Sequence, residues 1–114
     1  VGKHPGTVAV SIGPEDDCMA KQAEIEAAAE SVDAGHGVVV VTDMFGSTPS
    51  NLAVGACRKS GRAVLYGANL PLLVKLAKAR RMSLGDACAS ALNAGRKYIN
   101  SVEAFGSDRT PIAL

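Results

Sequence analysis

The sequence has no tryptophan and only two tyrosines and two phenylalanines, too few rings for a base-stacking platform. It has no excess of one charge: 12 Lys and Arg stand against 11 Asp and Glu, a net charge of +1. That excludes the basic footprint of a nucleic-acid-binding domain, and no nucleic-acid partner is expected. It has no long apolar run. The longest, Val38 to Val41, falls far short of the roughly 20 residues that span a bilayer, so no direct membrane insertion is expected. The first six residues lack the apolar stretch of a secretory signal. Cysteines are few, odd in number and far apart (Cys18, Cys57, Cys88), with no CxxC pair. This argues against a disulfide framework and against a zinc site. Each falls in a helical pattern and reads as a small buried apolar group. No metal and no cofactor is expected, and the location read from these absences is cytoplasmic.

What is present is the balance of an ordinary globular domain, 47% apolar and 20% charged over 114 residues. One domain spanning 1–114 is long enough to bury a core. Thr7 to Ile12 is a β-rich run bounded by Gly6 and Gly13-Pro14, and it reads as a first strand. Glu15, Asp16 and Asp17 then suit the positive end of a helix of about 20 residues that stops at Gly35. Val38 to Thr42 is a continuous β-branched run, the pattern of a strand buried on both faces. Thr48-Pro49 starts the next helix, with Thr48 as its cap, and that helix stops at Gly61. Ala63 to Tyr66 is a further strand. A helix follows Pro71, with Leu72, Leu73, Leu76 and Ala77 turned inward. Ser83 to Asp86 resembles a capping box, and the last helix aligns Leu84, Cys88, Ala91, Gly95, Tyr98 and Val102 on one face. Residues 103–114 read as tail, loop or short strand.

This alternation predicts a three-layer α/β fold, a mostly parallel sheet with helices on both faces. In such folds ligands bind beyond the carboxyl ends of the strands. The loop Gly13 to Asp17 is acidic and would repel phosphate. The loop Asp43 to Pro49 brings together a carboxylate, Gly46, the hydroxyls of Ser47 and Thr48, and a helix N-terminus. The loop Gly67 to Pro71 adds Asn69 at another helix N-terminus. Helix N-termini favour anions, so Gly46, Ser47, Thr48 and Asn69 are candidate phosphate-binding residues. Asp43 is the informative group. A carboxylate beside an anion site needs a positive partner between them: a protonated His, a metal ion or a Lys. His36 precedes its strand and Asp43 follows it, roughly 20 Å away at about 3.3 Å per residue. His4 belongs to the same far edge. Neither is the candidate nucleophile.

With those residues in view, the chain resembles the enzyme IIA components of the mannose family of the bacterial sugar phosphotransferase system (PTS). The resemblance rests on Gly37 to Asn51, which includes Asp43-Met-Phe-Gly46-Ser-Thr-Pro49, and on Gly67-Ala-Asn69-Leu-Pro71-Leu. It runs from about Val1 through Ser101. It implies a phosphotransferase component that accepts a phosphoryl group from the phosphocarrier HPr onto a histidine. The group then passes to a IIB partner, or its presence signals to a regulatory target. Asp43 would orient the imidazole, and Thr48, with Ser47, would bind phosphoryl oxygens, so Asp43 and Thr48 carry the implied catalytic roles. This is positioning plus electrostatics, most of what phosphoryl transfer requires. A homodimer is also implied, with residues 103–114 as a strand that subunits could exchange.

Two departures stand out. Ser47 occupies the place of a second family glycine. The family's phosphorylated histidine follows an initial strand, and no such segment precedes the Thr7 strand here. The expected fold is therefore the family fold without its first strand, and this chain alone is not expected to carry phosphate on histidine. The resemblance also implies two alternatives, a non-catalytic regulatory or binding domain of the same fold and a dihydroxyacetone-kinase phosphotransfer subunit, and the residues leave a third, a receiver-like domain phosphorylated on Asp43.

Overall fold

A computed structural model describes residues 6–59 and 61–101. Its elements are α1 (Cys18–Val32), β1 (Val38–Val41), α2 (Thr48–Ala56), β2 (Arg62–Leu65), α3 (Leu70–Lys78) and α4 (Leu84–Lys97). β1 and β2 are parallel and pair in register from Val38 with Arg62 to Val41 with Leu65. The ladder is extended by Val38 N–H to Gly61 O at 2.8 Å and Thr42 N–H to Leu65 O at 2.8 Å. β-branched side chains fit this pleated surface and alternate across it. Val39 and Val41 pack with Leu65, Leu72 and Ala91, so α3 and α4 cover that face. Val38 and Val40 point the other way, toward the side that α1 approaches. A second cluster there joins Ile25 of α1 with Leu52 and Ala56 of α2. The small α/β fold is as expected.

Thr7 to Ile12 is not a strand of this sheet. A strand is defined by its ladder, and none reaches this segment among the described residues. Its apolar side chains still do part of the expected job: Val10 and Ile12 pack against the Ile25, Leu52 and Ala56 cluster. β1 is likewise paired on one edge only among the described residues, and of its valines only Val38 is fully buried. The two-strand width explains why two-sided burial fails there, and it fits a sheet short of a strand.

Several boundaries move for local reasons. Asp17 caps α1 by accepting from Met19 N–H, so its carboxylate ends the loop and the helix is 15 residues long. Leu73 is exposed rather than inward, because α4 covers the Leu72 side of α3. α4 ends at Lys97, Tyr98 is exposed, and Val102 lies outside the described residues. Cys18 is exposed rather than buried, while Cys57 and Cys88 are half-buried. Ser83 does cap α4, accepting from Asp86 N–H at 3.2 Å. The readings placed on His4 and on 103–114 also fall outside the described residues.

Candidate functional site

The two strand-to-helix loops share one rim, and backbone bonds fasten them together. Gly67 N–H donates to Asp43 O, and Ala68 N–H donates to Thr42 O at 3.1 Å. The Phe45 and Tyr66 rings, one from each loop, stack with centroids 4.9 Å apart at a 45° tilt. That pairing spans 21 positions of sequence, and nothing local announces it.

Asp43 points into its own loop. Its Oδ1 accepts from Met44 N–H at 2.6 Å and from Ser47 Oγ–H at 2.8 Å. These two bonds hold the carboxyl below its ordinary value of 3.8, the Met44 amide contributing most and the Ser47 hydroxyl next. Oδ2 accepts no hydrogen bond from another described residue, so one carboxylate oxygen remains for a ligand. Gly46 sits at φ +86, a left-handed turn that a residue with Cβ enters at a cost. A Cβ there would meet nothing within 4 Å, so the conformation rather than space sets this glycine.

Ser47, not Thr48, caps α2. Its Oγ accepts from Ser50 N–H at 3.3 Å while donating to Asp43. Thr48 takes the first helical position with Pro49 behind it, where a missing N–H costs nothing. The Thr48 side chain is exposed and makes no hydrogen bond among the described residues. The hydroxyl at 47 therefore supplies both the cap and the carboxylate's partner.

Asn69 stands on the same rim with its polar atoms turned inward. Oδ1 caps α3 by accepting from Leu72 N–H at 3.0 Å, and Nδ2 donates to Gly95 O of α4 at 3.0 Å. One Nδ2 hydrogen is left over. Gly95 makes the approach possible: a Cβ there would lie 3.3 Å from Asn69 Oδ1 and 3.3 Å from Leu72 Cβ.

The loop Gly13 to Asp17 does reach this rim. A cavity of about 250 Å³ is lined by Gly13, Pro14, Asp16, Lys21, Thr48 and Pro49. Lys21 was not singled out in the sequence. It donates to Glu24 at 2.8 Å, lies 3.8 Å from Asp16, and brings a cation beside Thr48. Its ammonium pKa is raised, chiefly by the Glu24 hydrogen bond. Position 21 carried no signal because its neighbour across the cavity is 27 residues away in sequence. Beneath the rim, Thr42 Oγ1 and Ser50 Oγ are buried without a hydrogen-bond partner among the described residues. His36 sits before β1 and Asp43 after it, at opposite ends of the strand. No group of three metal-ligating side chains occurs among the described residues.

A parallel β-α-β unit with a capped helix, and with a hydroxyl and a carboxylate exposed at one strand end, defines a small α/β domain with a polar rim. The family model described as PTS system fructose IIA component matches residues 2–92, and the chain belongs to that family. Membership gives it a IIA-type role in sugar phosphotransfer, a transferase role in general terms. The family works with other PTS components. A search of curated proteins gave no match. No helix among the described residues is long and apolar enough to cross a membrane.

Proposed function

We propose that the rim formed by Asp43, Gly46, Ser47 and Thr48 is the phosphoryl site of a PTS IIA component. It serves a histidine that accepts phosphate from HPr and gives it to a IIB partner or displays it to a regulatory target. In that transfer the P–N bond of the donor histidine breaks as a new P–N bond forms on the acceptor imidazole. The observation that carries the reading is the state of Asp43: a carboxylate held ionised through Oδ1, with Oδ2 open, beside the N-terminus of α2. An imidazole N–H bound to Oδ2 would keep its other nitrogen free to attack phosphorus, and the carboxylate would stabilise the cationic ring. Thr48 would hold the phosphoryl oxygens through Oγ1 and its N–H, since Pro49 has no N–H and the Ser50 and Asn51 amides are bonded to Ser47. Asn69 would add its remaining Nδ2 hydrogen, a secondary contribution because its other bonds fix α3 to α4. Neither His36, at the far end of β1, nor a metal enters this scheme. The reading places the protein in the cytoplasm and makes it a homodimer, in keeping with its resemblance to mannose-family IIA components.

The test uses N-phosphoimidazole, a small mimic of phosphohistidine, titrated into isotopically labelled protein. Amide signals of Thr48, Ser50 and Asn51 are expected to shift, and Thr48→Val is expected to weaken the response. Shifts no larger than those caused by imidazole alone would overturn the reading. Phosphorylation by enzyme I, HPr and phosphoenolpyruvate adds a chemical check: the chain alone is expected to gain no phosphohistidine, and any product is typed by alkali, which phosphohistidine survives and an acyl phosphate on Asp43 does not. An alkali-labile product would favour the receiver-like alternative, which family membership leaves without support.

A further inference from the structure

The near-zero net charge conceals two regions of opposite sign. Gly13 to Asp33 carries seven acids and one base, whereas Leu70 to Lys97 carries six bases and one acid. The two regions are not equally free. On the acidic side, Asp16 and Glu24 are paired with Lys21, and Glu30 and Asp33 with Lys59 and Arg62. On the basic side no ion pair forms among the described residues. The residues outside the described part bring two charges of each sign and leave that excess standing.

The unpaired cations adjoin exposed apolar surface. Leu70, Leu73 and Val74 are 66%, 45% and 37% exposed, and their i, i+3, i+4 spacing puts them on one side of α3. Lys78 continues that stripe one turn beyond Val74, and Arg80 and Arg81 follow the helix end, all three exposed. We propose that this outer side of α3 is a docking surface for an acidic protein, whose apolar centre meets the leucine and valine ridge and whose carboxylates meet Lys78, Arg80 and Arg81. Opposite potentials would steer the encounter and fix its register. The proposal goes beyond the phosphoryl reading and stands whether or not the rim binds phosphate.

Charge decides against two other occupants. A second copy placed symmetrically would set these cations against themselves, and four of the seven acids in the copy's Gly13 to Asp33 region are already engaged with Lys21, Lys59 and Arg62. A lipid surface suits a helix whose cations flank its apolar face along the whole length. Here the apolar ridge occupies the start of α3 and the cations its end.

The probe is a synthetic helical peptide with leucines along one face and glutamates on both flanks, dye-labelled and titrated with the full chain. A matched peptide with lysines in place of the glutamates is the control. Binding of the acidic peptide is expected to weaken with salt and to fall roughly tenfold or more in Leu73→Ser and in the double variant Lys78→Glu, Arg81→Glu. The lysine peptide is expected not to bind. All these positions are exposed, so thermal melts should confirm folded variants. Four results would each overturn the proposal: no binding of the acidic peptide, equal binding of both peptides, binding indifferent to the charge reversal, or sedimentation with phosphatidylserine vesicles in place of peptide binding. A dimer that Leu73→Ser dissociates would do the same.

Discussion

The two turns at the rim are built alike and used differently. Each has a capping side chain, then one residue, then proline: Ser47-Thr48-Pro49 and Asn69-Leu70-Pro71. In the second turn the capping side chain reaches inward, binding α3 and α4 together through Leu72 N–H and Gly95 O. In the first it reaches sideways to Asp43, and the next residue offers a free hydroxyl to solvent. One turn spends its polar groups on packing, whereas the other keeps them at the surface. Capping alone therefore does not mark a binding loop. The mark is what remains unbonded after the cap is made.

The largest expected effect lies under the packing turn. Leu72 is 2% exposed and joins Leu65 and Ala91 in the cluster that holds α3 and α4 to the sheet. Leu72→Ala is expected to cost about 2–5 kcal/mol in urea denaturation. A loss under about 1 kcal/mol would mean that this turn rests on a loose core and would erase the contrast. Asn69→Ala comes next, at about 1–2 kcal/mol, because it removes a cap and leaves Gly95 O without its partner.

Most of this contrast was readable in the sequence only as far as residue types go. The parallel strands, the helices after Pro49 and Pro71, and the gathering of Asp43 and Asn69 at one edge follow from local periodicity and turn chemistry. The choice of cap did not. Ser47 and Thr48 are adjacent hydroxyls before a proline that tolerates either of the first two helical positions, so the local signal is degenerate. The expected strand at Thr7 to Ile12 failed because β propensity is local and a ladder partner is not. Lys21 and the Phe45–Tyr66 stack were missed for the same reason: each meets its neighbour across space. Asn69 was recognised as a rim residue, but its commitment to Gly95 depends on α4 arriving there.

The surface turn predicts smaller effects with a pH signature. Ser47→Ala removes the cap and one of the two bonds that hold Asp43 ionised, at about 1 kcal/mol for the cap. A carboxyl whose folded pKa is lowered stabilises the folded state above its unfolded pKa, and the contribution fades as pH falls through the folded value. Acid sensitivity below the ordinary carboxyl value of 3.8 should therefore shrink in Ser47→Ala and in Asp43→Asn. Glu30 and Asp33 are also lowered, chiefly by Lys59 and by Arg62 respectively, and should retain their share in both variants. Denaturation midpoints compared between about pH 5 and pH 3 separate the two sources. A wild-type acid slope in both variants would show that the Asp43 bonds are absent in solution.

Thr48→Val should change stability least, by no more than about 0.5 kcal/mol, since the exposed side chain bonds to nothing described and its backbone stays helical. That near-silence gives the variant its value. Ser47→Ala disturbs the helix start and Asp43 together, so loss of phosphoryl binding there has two explanations. Valine at 48 keeps the shape, the cap and the carboxylate and deletes only the oxygen. If phosphoimidazole binding falls while the melt and the acid profile stay at wild type, the free hydroxyl is a ligand and the two turns differ in function as they do in geometry. If binding is unchanged, the Thr48 amide and Asp43 suffice, and the Thr48 hydroxyl is incidental.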